Sequence, residues 1–345
     1  MAMRRAIAAQ PRSDDIHDMA ISLAASSDKN ALLDEAQRRA LDAAVEQVNR
    51  VVLGKTAQVR MAFACFLADG HLLIEDLPGV GKTTLAHALA ATLALSFQRI
   101  QFTSDLLPSD IIGVSVYERS ESEQGRAAFK FHAGPLFAQL VLADEINRAT
   151  PKTQSALLEA MAEHQVTADG VTHPLPEPFF VVATQNPLDL AGTFALPESQ
   201  LDRFMLRISL DYPDRDAERA LLTATDRREL IAHLEPRLDA AHIAALRTAV
   251  TKVLASPALI DYVQALLGAS RAHAEIAVGL SPRAGLAMLH AARAYALLEG
   301  RGFCVPEDVQ TVFVAAAAHR LIPAAASRAS RAELANQLLA QVPVR

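Results

Sequence analysis

Between residues 72 and 85 the chain reads Leu72-Leu73-Ile74-Glu75-Asp76-Leu77-Pro78-Gly79-Val80-Gly81-Lys82-Thr83-Thr84-Leu85. The apolar start predicts a buried strand, the Pro/Gly-rich middle predicts a turn, and the Ala/Leu-rich sequence that begins at Lys82 predicts a helix. This order of strand, loop and helix is the context of a phosphate-binding loop. Gly79 and Gly81 allow successive backbone N–H groups to face inward, and the helix N-terminus supplies further unpaired N–H groups. The stretch therefore predicts a site for the phosphates of a nucleotide.

The predicted loop supplies the groups that hold ATP and Mg²⁺. The cofactor-binding residues are predicted to be Pro78, Gly79, Val80, Gly81, Lys82, Thr83 and Thr84. Lys82 would reach the β- and γ-phosphates, and the hydroxyl of Thr83 would be a ligand of Mg²⁺. Asp76 stands where the strict pattern has glycine, and because Asp tolerates the left-handed backbone region we expect the turn to be kept. The alternative is a glycine-rich turn that carries Gly-Lys-Thr by chance.

Length and composition limit the classes of protein to consider. The chain has 345 residues, which suggests two domains. Hydrophobic residues make up 51% and charged residues 21%, so a large core is available and global disorder is excluded. A net charge of −6 argues against a dedicated nucleic-acid binder. Cys65 and Cys304 are expected to be buried free thiols in a reducing compartment.

No segment of the sequence predicts export or membrane insertion. The start of the chain lacks an apolar run long enough for a signal peptide. No stretch approaches the length of about 18 apolar residues that a membrane-spanning helix needs. We therefore expect a cytoplasmic protein without a membrane span.

Polar side chains follow two further buried strands. Residues 140–143 are apolar and run into Asp144 and Glu145. Open α/β sheets bind ligands at the C-terminal ends of their strands, so Asp144 would hold Mg²⁺ through water and Glu145 would polarise the attacking water. The alternative is a solvated strand end. A strand at 179–184 leads to Asn186, whose amide would position water beside the γ-phosphate, although an Asn before Pro is by itself only a turn signal.

The chain divides into three parts in this interpretation. Residues 1–30 predict an N-terminal arm, residues 31–213 the α/β core, and residues 214–345 a second domain that is helical throughout. Within the core we expect a first helix that ends at Gly54, a second strand at 99–102 and a fifth strand at 205–210. Two hairpins are predicted, at 114–131 with a polar tip and at 165–174 around Asp169-Gly170.

One helix start in the second part suggests a bound anion. Ser281-Pro282-Arg283 indicates an N-cap, then Pro in the first helical position, then Arg in the first turn. A cation there opposes the helix dipole, and a phosphate bound near Arg283 would remove the conflict. The alternative is an exposed arginine that is hydrogen-bonded to a loop.

The motifs occur in an order that resembles an AAA+ ATPase and, more narrowly, the MoxR family. They are Gly-Val-Gly-Lys-Thr, Ala-Asp-Glu-Ile-Asn-Arg-Ala, Ala-Thr-Gln-Asn-Pro, Leu-Asp-Arg-Phe and Ser-Pro-Arg. The resemblance covers residues 40–330, and the sequence from Asp144 to Glu163 is its most specific part. It implies an α/β fold, with an αβα P-loop ATPase core on a five-stranded parallel sheet of order 5-1-4-3-2. It also implies an insertion hairpin in the second helix, here 114–131, which points towards the pore of a ring, and an all-α lid.

The resemblance also assigns roles to single residues. Lys82 and Thr83 match the Walker A motif, Asp144 and Glu145 match Walker B, and Asn186 matches sensor 1. Arg203 matches the arginine finger, with an ion pair to Asp202 or Asp211 in the same subunit as the alternative. Arg283 matches sensor 2, and it stays open whether it serves its own nucleotide or a neighbour's.

The implied activity is ATP hydrolysis with Mg²⁺ by a homo-oligomer, usually a hexameric ring. Such rings carry out chaperone-like remodeling or maturation, often metal cofactor insertion, with a von Willebrand factor A domain partner. Alternatives are a magnesium-chelatase-like ATPase subunit, a DNA-remodeling motor, which the net charge disfavours, and a nucleotide-gated scaffold with little turnover. The presence of Glu145, Asn186 and Arg203 argues against the scaffold.

Overall fold

The structure is a computed structural model that describes residues 32–119, 127–188, 192–223 and 227–344. The predicted arm at 1–30 and the tip of the first hairpin, at 120–126, lie outside the described residues. Within the described ranges, no helix combines the length and the apolar character that crossing a membrane requires.

Helices and strands alternate in the first part of the chain, and helices dominate the second. The helices are α1 Glu35–Val51, α2 Thr56–Leu67, α3 Lys82–Thr92, α4 Pro108–Ile112, α5 Pro151–Glu163, α6 Glu198–Leu201, α7 Arg215–Thr223, α8 Arg227–Ala232, α9 Ala240–Lys252, α10 Pro257–Ala272, α11 Pro282–Leu298, α12 Pro306–Ala317 and α13 Arg331–Gln341. The strands are β1 Leu72–Glu75, β2 Phe97–Gln101, β3 Gly113–Arg119, β4 Ala127–Ala133, β5 Leu140–Asp144, β6 Gln165–Ala168, β7 Val171–Pro174, β8 Phe180–Gln185, β9 Leu206–Ile208, β10 Ile276–Val278 and β11 Ile322–Pro323.

The core is a five-stranded sheet in which neighbouring strands are β2, β5, β8, β1 and β9 in that order. All of its pairings are parallel. When the five strands are numbered along the chain and the sheet is read from β9, the order is 5-1-4-3-2, as the resemblance implies. The predicted α/β architecture is confirmed.

Side chains of the sheet alternate between two apolar clusters. In β5, Leu140 and Leu142 lie in one cluster, and Val141 and Ala143 lie in the other. Strand residues point to opposite faces in turn, so a strand covered on both faces is apolar at every position. This double burial explains why β1, β5 and β8 were visible in the sequence as apolar runs.

The two clusters differ in what covers the sheet. The first contains residues of α1, α2 and α3 together with residues of α11, α12 and α13. The second is built around α5 and buries three large rings, Phe102, Phe179 and Phe204. The helical second part of the chain therefore completes one face of the sheet.

Several predicted boundaries shift in the structure. The second strand begins at Phe97 and the fifth spans only Leu206–Ile208. Helix α1 ends at Val51, and Gly54, with φ +70°, lies in the turn that follows the helix. The hairpin β3–β4 pairs Gly113 with Ala133, so its strands extend beyond the predicted bounds of 114–131. The hairpin β6–β7 is confirmed.

The expectation of helix throughout residues 214–345 is wrong at one place. Strand β10 pairs antiparallel with β11, which lies two helices further along the chain. Each strand has only two or three residues. Elements this short contain no periodic pattern, and their pairing depends on a contact between distant segments.

Arginines of the first two helices bind the end of α11. Arg38 donates from Nη1 to the Leu297 carbonyl at 2.7 Å and from Nη2 to the Leu298 carbonyl at 2.8 Å. Arg60 Nη2 donates to the Leu298 carbonyl at 3.2 Å. The last carbonyls of a helix have no partner within the helix, and these arginines supply donors to them in addition to the Gly300 N–H, which donates to the Leu297 carbonyl at 2.9 Å.

Candidate nucleotide site

The loop between β1 and α3 leaves an open cradle beside its backbone. Gly79 has φ +83° and Gly81 has φ +100°, in the region where a residue with a side chain is strained. Apart from each glycine and its two chain neighbours, no atom of the described residues lies within 4 Å of the position that a Cβ would take there. Gly81 directly precedes the first residue of α3. The helix N-terminus therefore begins at a space that a phosphate fits.

Lys82 is held inside this loop. Its Nζ donates to the Asp76 carbonyl at 2.7 Å and to the Leu77 carbonyl at 3.1 Å. Burial lowers the pKa of Lys82, while the charges of Asp76, Asp144 and Glu145 act to raise it. The predicted lysine and the two predicted strand-end carboxylates therefore belong to one electrostatic site.

Asp76 stabilises the loop through its side chain, and not through the left-handed backbone conformation that we expected. Its backbone does not have positive φ. Its carboxylate is buried and accepts three backbone N–H groups: Oδ1 from Leu77 at 2.7 Å, and Oδ2 from Asp211 at 2.7 Å and from Leu210. Leu210 and Asp211 follow β9, so the side chain ties the start of the loop to the end of the fifth strand.

Asp144 ends β5 with both carboxylate oxygens engaged. Thr184 Oγ1 donates to Oδ1 at 2.6 Å, and Arg99 donates to Oδ2 from Nε at 3.1 Å and from Nη2 at 2.6 Å. Among the described residues, no group of three or more His, Cys, Asp and Glu could hold a metal ion. Mg²⁺ does not need one, because it binds through one or two oxygen ligands, water and the phosphates of its substrate. Thr83 and Asp144 fit that chemistry.

Glu145 is held in an uncommon conformation. Its φ is +57°, and its backbone N–H donates to Thr184 Oγ1 at 2.8 Å. Its Oε2 accepts from Arg148 Nη1 at 2.9 Å and from Gln101 Nε2 at 3.2 Å. A non-glycine residue with positive φ often marks a functional position. Thr184 therefore links the carboxylate of Asp144 to the backbone of Glu145, the two residues that the sequence singled out.

Asn186 and Arg203 make contacts within their own subunit. Asn186 directly follows β8, and its Oδ1 accepts from the Leu188 N–H at 3.1 Å, as in a simple turn. Arg203 Nη1 donates to the Leu158 carbonyl of α5 at 2.5 Å. In the described ranges no ion pair joins Arg203 to Asp202 or Asp211, so that alternative for the arginine is wrong.

Arg283 lies beside the segment that carries Arg203. The N-cap is as predicted, since Ser281 Oγ accepts from the Ala284 N–H at 3.2 Å. The Arg283 side chain is 59% exposed, and its Nη1 lies 3.9 Å from Asp202 Oδ2. Arg283 therefore lies beside the residue that directly precedes Arg203 in the chain.

Four polar residues of the site were not found from the sequence: Arg99, Gln101, Arg148 and Thr184. Gln101 pairs with Asp144 in the register of β2 and β5, and Arg99 lies two residues earlier on the same face. Thr184 lies one residue before the end of β8. Polar side chains near the C-terminal ends of the strands next to β5 were the available signal, but their use required knowledge of the strand order.

The fold and the site define a class of protein, an AAA+ ATPase with a helical lid. Residues 71–206 match the family described as "ATPase family associated with various cellular activities (AAA)". Residues 268–340 match the AAA lid domain.

Relatives narrow the class to a family. The chain is 38% identical to Chaperone MoxR1 of Mycobacterium tuberculosis, over 83% of this chain and 77% of the relative. It is 34% identical to Protein MoxR of Paracoccus denitrificans, over 86% and 94%. A candidate ATPase from Cytophaga hutchinsonii, known from a crystal structure, is 34% identical with a TM-score of 0.81, over 94% of this chain and 99% of that one. The chain belongs to the MoxR family of AAA+ ATPases.

Proposed function

We propose that the chain hydrolyses ATP as one subunit of a ring, in which Arg203 and Arg283 complete the nucleotide site of a neighbour. One observation carries the proposal. The charges of Asp144 and Glu145 act on Lys82, whereas Arg203 contacts Leu158, and Arg283 lies beside Asp202, the residue before Arg203. We call these two groups of residues the first and the second half-site, and they suit an assembly in which each interface pairs one half-site with the other.

The residues of the first half-site, around Lys82, would each have a separate role in ATP hydrolysis. Lys82 would exchange its carbonyl partners at Asp76 and Leu77 for the β- and γ-phosphates. Thr83 and Asp144 would hold Mg²⁺, which supplies charge neutralisation at the phosphates when bound. Glu145 would orient and polarise the attacking water, and Asn186 would position it.

The second half-site would act on the charge that develops during phosphoryl transfer. A guanidinium supplied by a neighbour raises the rate by about 10³–10⁵ in well-studied cases. Arg203 would leave the Leu158 carbonyl to do so. Because Arg283 lies next to Asp202, we infer that it reaches the same neighbouring nucleotide as Arg203 and does not serve its own.

We further propose that hydrolysis drives chaperone-like remodeling of proteins by a hexameric ring, together with a von Willebrand factor A domain partner. The hairpin β3–β4 supports a role in contacts with other proteins. Its Tyr117 and Phe129 rings are 64% and 74% exposed and meet edge to face with centroids 5.2 Å apart. Together with the exposed Val114 and Val116 of the same hairpin they form apolar surface of the kind that suits contact with another protein.

Mixed rings test the proposed site. Arg203→Ala subunits keep a complete P-loop site and lack the finger, whereas Glu145→Gln subunits keep the finger and lack water activation. We expect each variant alone to be nearly inactive while still binding ATP, and mixtures to regain hydrolysis. Lys82→Ala serves as the control that loses tight ATP binding. Absence of recovery in rings of verified mixed composition would refute action across the interface.

The role in remodeling needs a separate test with a candidate partner protein in hand. The Glu145→Gln ring with ATP should retain a purified von Willebrand factor A domain partner, because the ATP-bound state persists. The Lys82→Ala ring should release it. Equal retention by both rings would separate partner binding from the nucleotide and contradict this part of the proposal.

A further inference from the structure

A buried arginine of the lid contacts the segment that carries Arg203. Arg320 follows α12 and lies in the part of the chain that matches the AAA lid domain. Its side chain is only 4% exposed. A guanidinium that is removed from water in this way needs hydrogen-bonded partners and a counter-charge.

All five N–H groups of Arg320 have acceptors, and four of the five point to residues 202–205. Nε donates to Asp202 Oδ1 at 2.6 Å, Nη2 to the carbonyls of Phe204 at 2.8 Å and Asp202 at 3.2 Å, and Nη1 to the carbonyls of Met205 at 3.1 Å and Ala316. Arginine offers five donors in a fixed fork, so none remains for a phosphate. Arg320 therefore acts through the segment and does not itself reach a nucleotide.

Two neighbours of Arg320 hold the same segment. His319 is buried, which lowers its pKa, and its Nε2 lies 3.0 Å from the Phe204 carbonyl. Since the imidazole stays neutral, Nε2 is the nitrogen that donates. Arg331 donates from Nη1 and Nη2 to the carboxylate of Glu198 at 3.0 and 2.5 Å. Glu198 begins the short helix α6, which leads directly to residue 203.

We propose that Arg320 is a positioning residue for Arg203, which couples the arginine finger to the lid. Its contacts surround Arg203 on the chain, on Asp202 before it and on Phe204 and Met205 after it. A shift of the lid relative to the sheet would carry these residues along, and it would set how far the finger reaches into the neighbouring site. The inference rests on the proposed action of Arg203 across the interface.

The test uses Arg320→Lys, which keeps the charge and loses the fork. We expect Arg320→Lys rings to bind ATP with a Kd within about twofold of the wild type and to lose at least tenfold in kcat, since an effect of this size follows from a finger worth about 10³–10⁵. Mixed with Glu145→Gln subunits, the variant should regain hydrolysis, because its own P-loop site is intact. Mixed with Arg203→Ala subunits, it should not, because neither subunit supplies a working finger.

The opposite pattern would overturn the inference. If Arg320 served its own nucleotide site, Arg320→Lys subunits would still donate a finger, so they would rescue Arg203→Ala and not be rescued by Glu145→Gln. If Arg320 only stabilised the fold, neither mixture would gain activity and the midpoint of urea unfolding would fall. Asp202→Asn, which removes the counter-charge and keeps the size, should repeat the pattern of Arg320→Lys and provides a second variant if the first does not fold.

A matched control separates finger positioning from general contact between the lid and the core. Arg247 of α9 is also a mostly buried arginine that holds the core, through Asp69 Oδ1 at 2.5 Å and the Phe66 carbonyl at 3.0 Å. Both acceptors lie outside residues 202–205, so Arg247→Lys should retain kcat. The mixture of Arg203→Ala with Glu145→Gln tests the proposed finger independently of Arg320. If that mixture gains activity and the mixture of Arg320→Lys with Glu145→Gln does not, the finger acts across the interface and only the role of Arg320 is wrong.

Discussion

Replacement of Asp76 by Asn tests whether its carboxylate holds the phosphate-binding loop in place. The side chain is buried and accepts N–H groups from Leu77, Leu210 and Asp211, one on Oδ1 and two on Oδ2. Asn has nearly the same shape, but it offers one acceptor oxygen, and its amide N–H₂ can only donate. At least one backbone N–H must therefore face another donor in the variant.

The size of the effect follows from this count. The favourable orientation of Asn directs its oxygen to Leu210 and Asp211 and leaves the Leu77 N–H without an acceptor. A hydrogen bond to a charged group contributes about 1.5–3 kcal/mol. We expect Asp76→Asn to lower the free energy of unfolding by ~2 kcal/mol. Asp76→Ala removes both acceptor oxygens and with them all three hydrogen bonds, so it should lower the free energy of unfolding by at least ~4.5 kcal/mol.

Urea denaturation without nucleotide measures both variants. Asp261→Asn is the control, because Asp261 is an exposed carboxylate on α10 and its loss should change the free energy of unfolding by less than ~0.5 kcal/mol. ATP affinity should fall with stability, since Lys82 donates to the carbonyls of Asp76 and Leu77. An Asp76→Asn protein as stable as the control would refute the proposed anchoring.

Three further predictions concern other parts of the molecule. Burial lowers the pKa of His71 from 6.5 to about 4, so on acidification the unfolded chain binds the proton before the folded chain does. The free energy of unfolding should therefore decrease as the pH falls from 6.5 towards 4, and His71→Phe should reduce this pH dependence, measured by urea unfolding. Arg148→Ala frees the Glu145 carboxylate of one partner and should change kcat with little change in the Kd for ATP; a change in Kd alone would contradict this assignment. The double variant Tyr117→Ala and Phe129→Ala should keep ATP hydrolysis and lose binding of protein partners, measured by sedimentation with the purified partner.

The sequence was sufficient for the sheet because local patterns encode it. Three of the core strands, β1, β5 and β8, are buried apolar runs, and the motif residues lie where those runs end. Strand β2 is mostly polar and exposed at three of its five positions. The grouping of Lys82 with Asp144 and Glu145 follows from that placement once the strands are parallel. The roles assigned to the site residues and the division near residue 213 stay predictions.

What the sequence missed depends on contacts between distant segments. Arg99 contacts Asp144 only because β2 and β5 are neighbours, and Asp76 contacts Asp211 only because the chain after β9 returns to the loop. The predicted reason for tolerating Asp76 was local backbone preference, and the structure shows a hydrogen-bonded anchor instead. The periodicity of apolar residues along the sequence carries no information about contacts between distant segments. The residues that support the site were therefore harder to predict than its motifs.

The apolar cluster shared by the sheet and the helical second part has a consequence for isolated fragments. Leu206 and Leu210 of the core lie in the same cluster as Val312 and Phe313 of α12. A fragment that stops at residue 213 would expose this face of the sheet to water, at a cost of about 25 cal/mol for each Å² of apolar surface. We expect such a fragment to aggregate when expressed alone, and to become soluble only when the remaining residues are supplied as a separate chain that docks onto it.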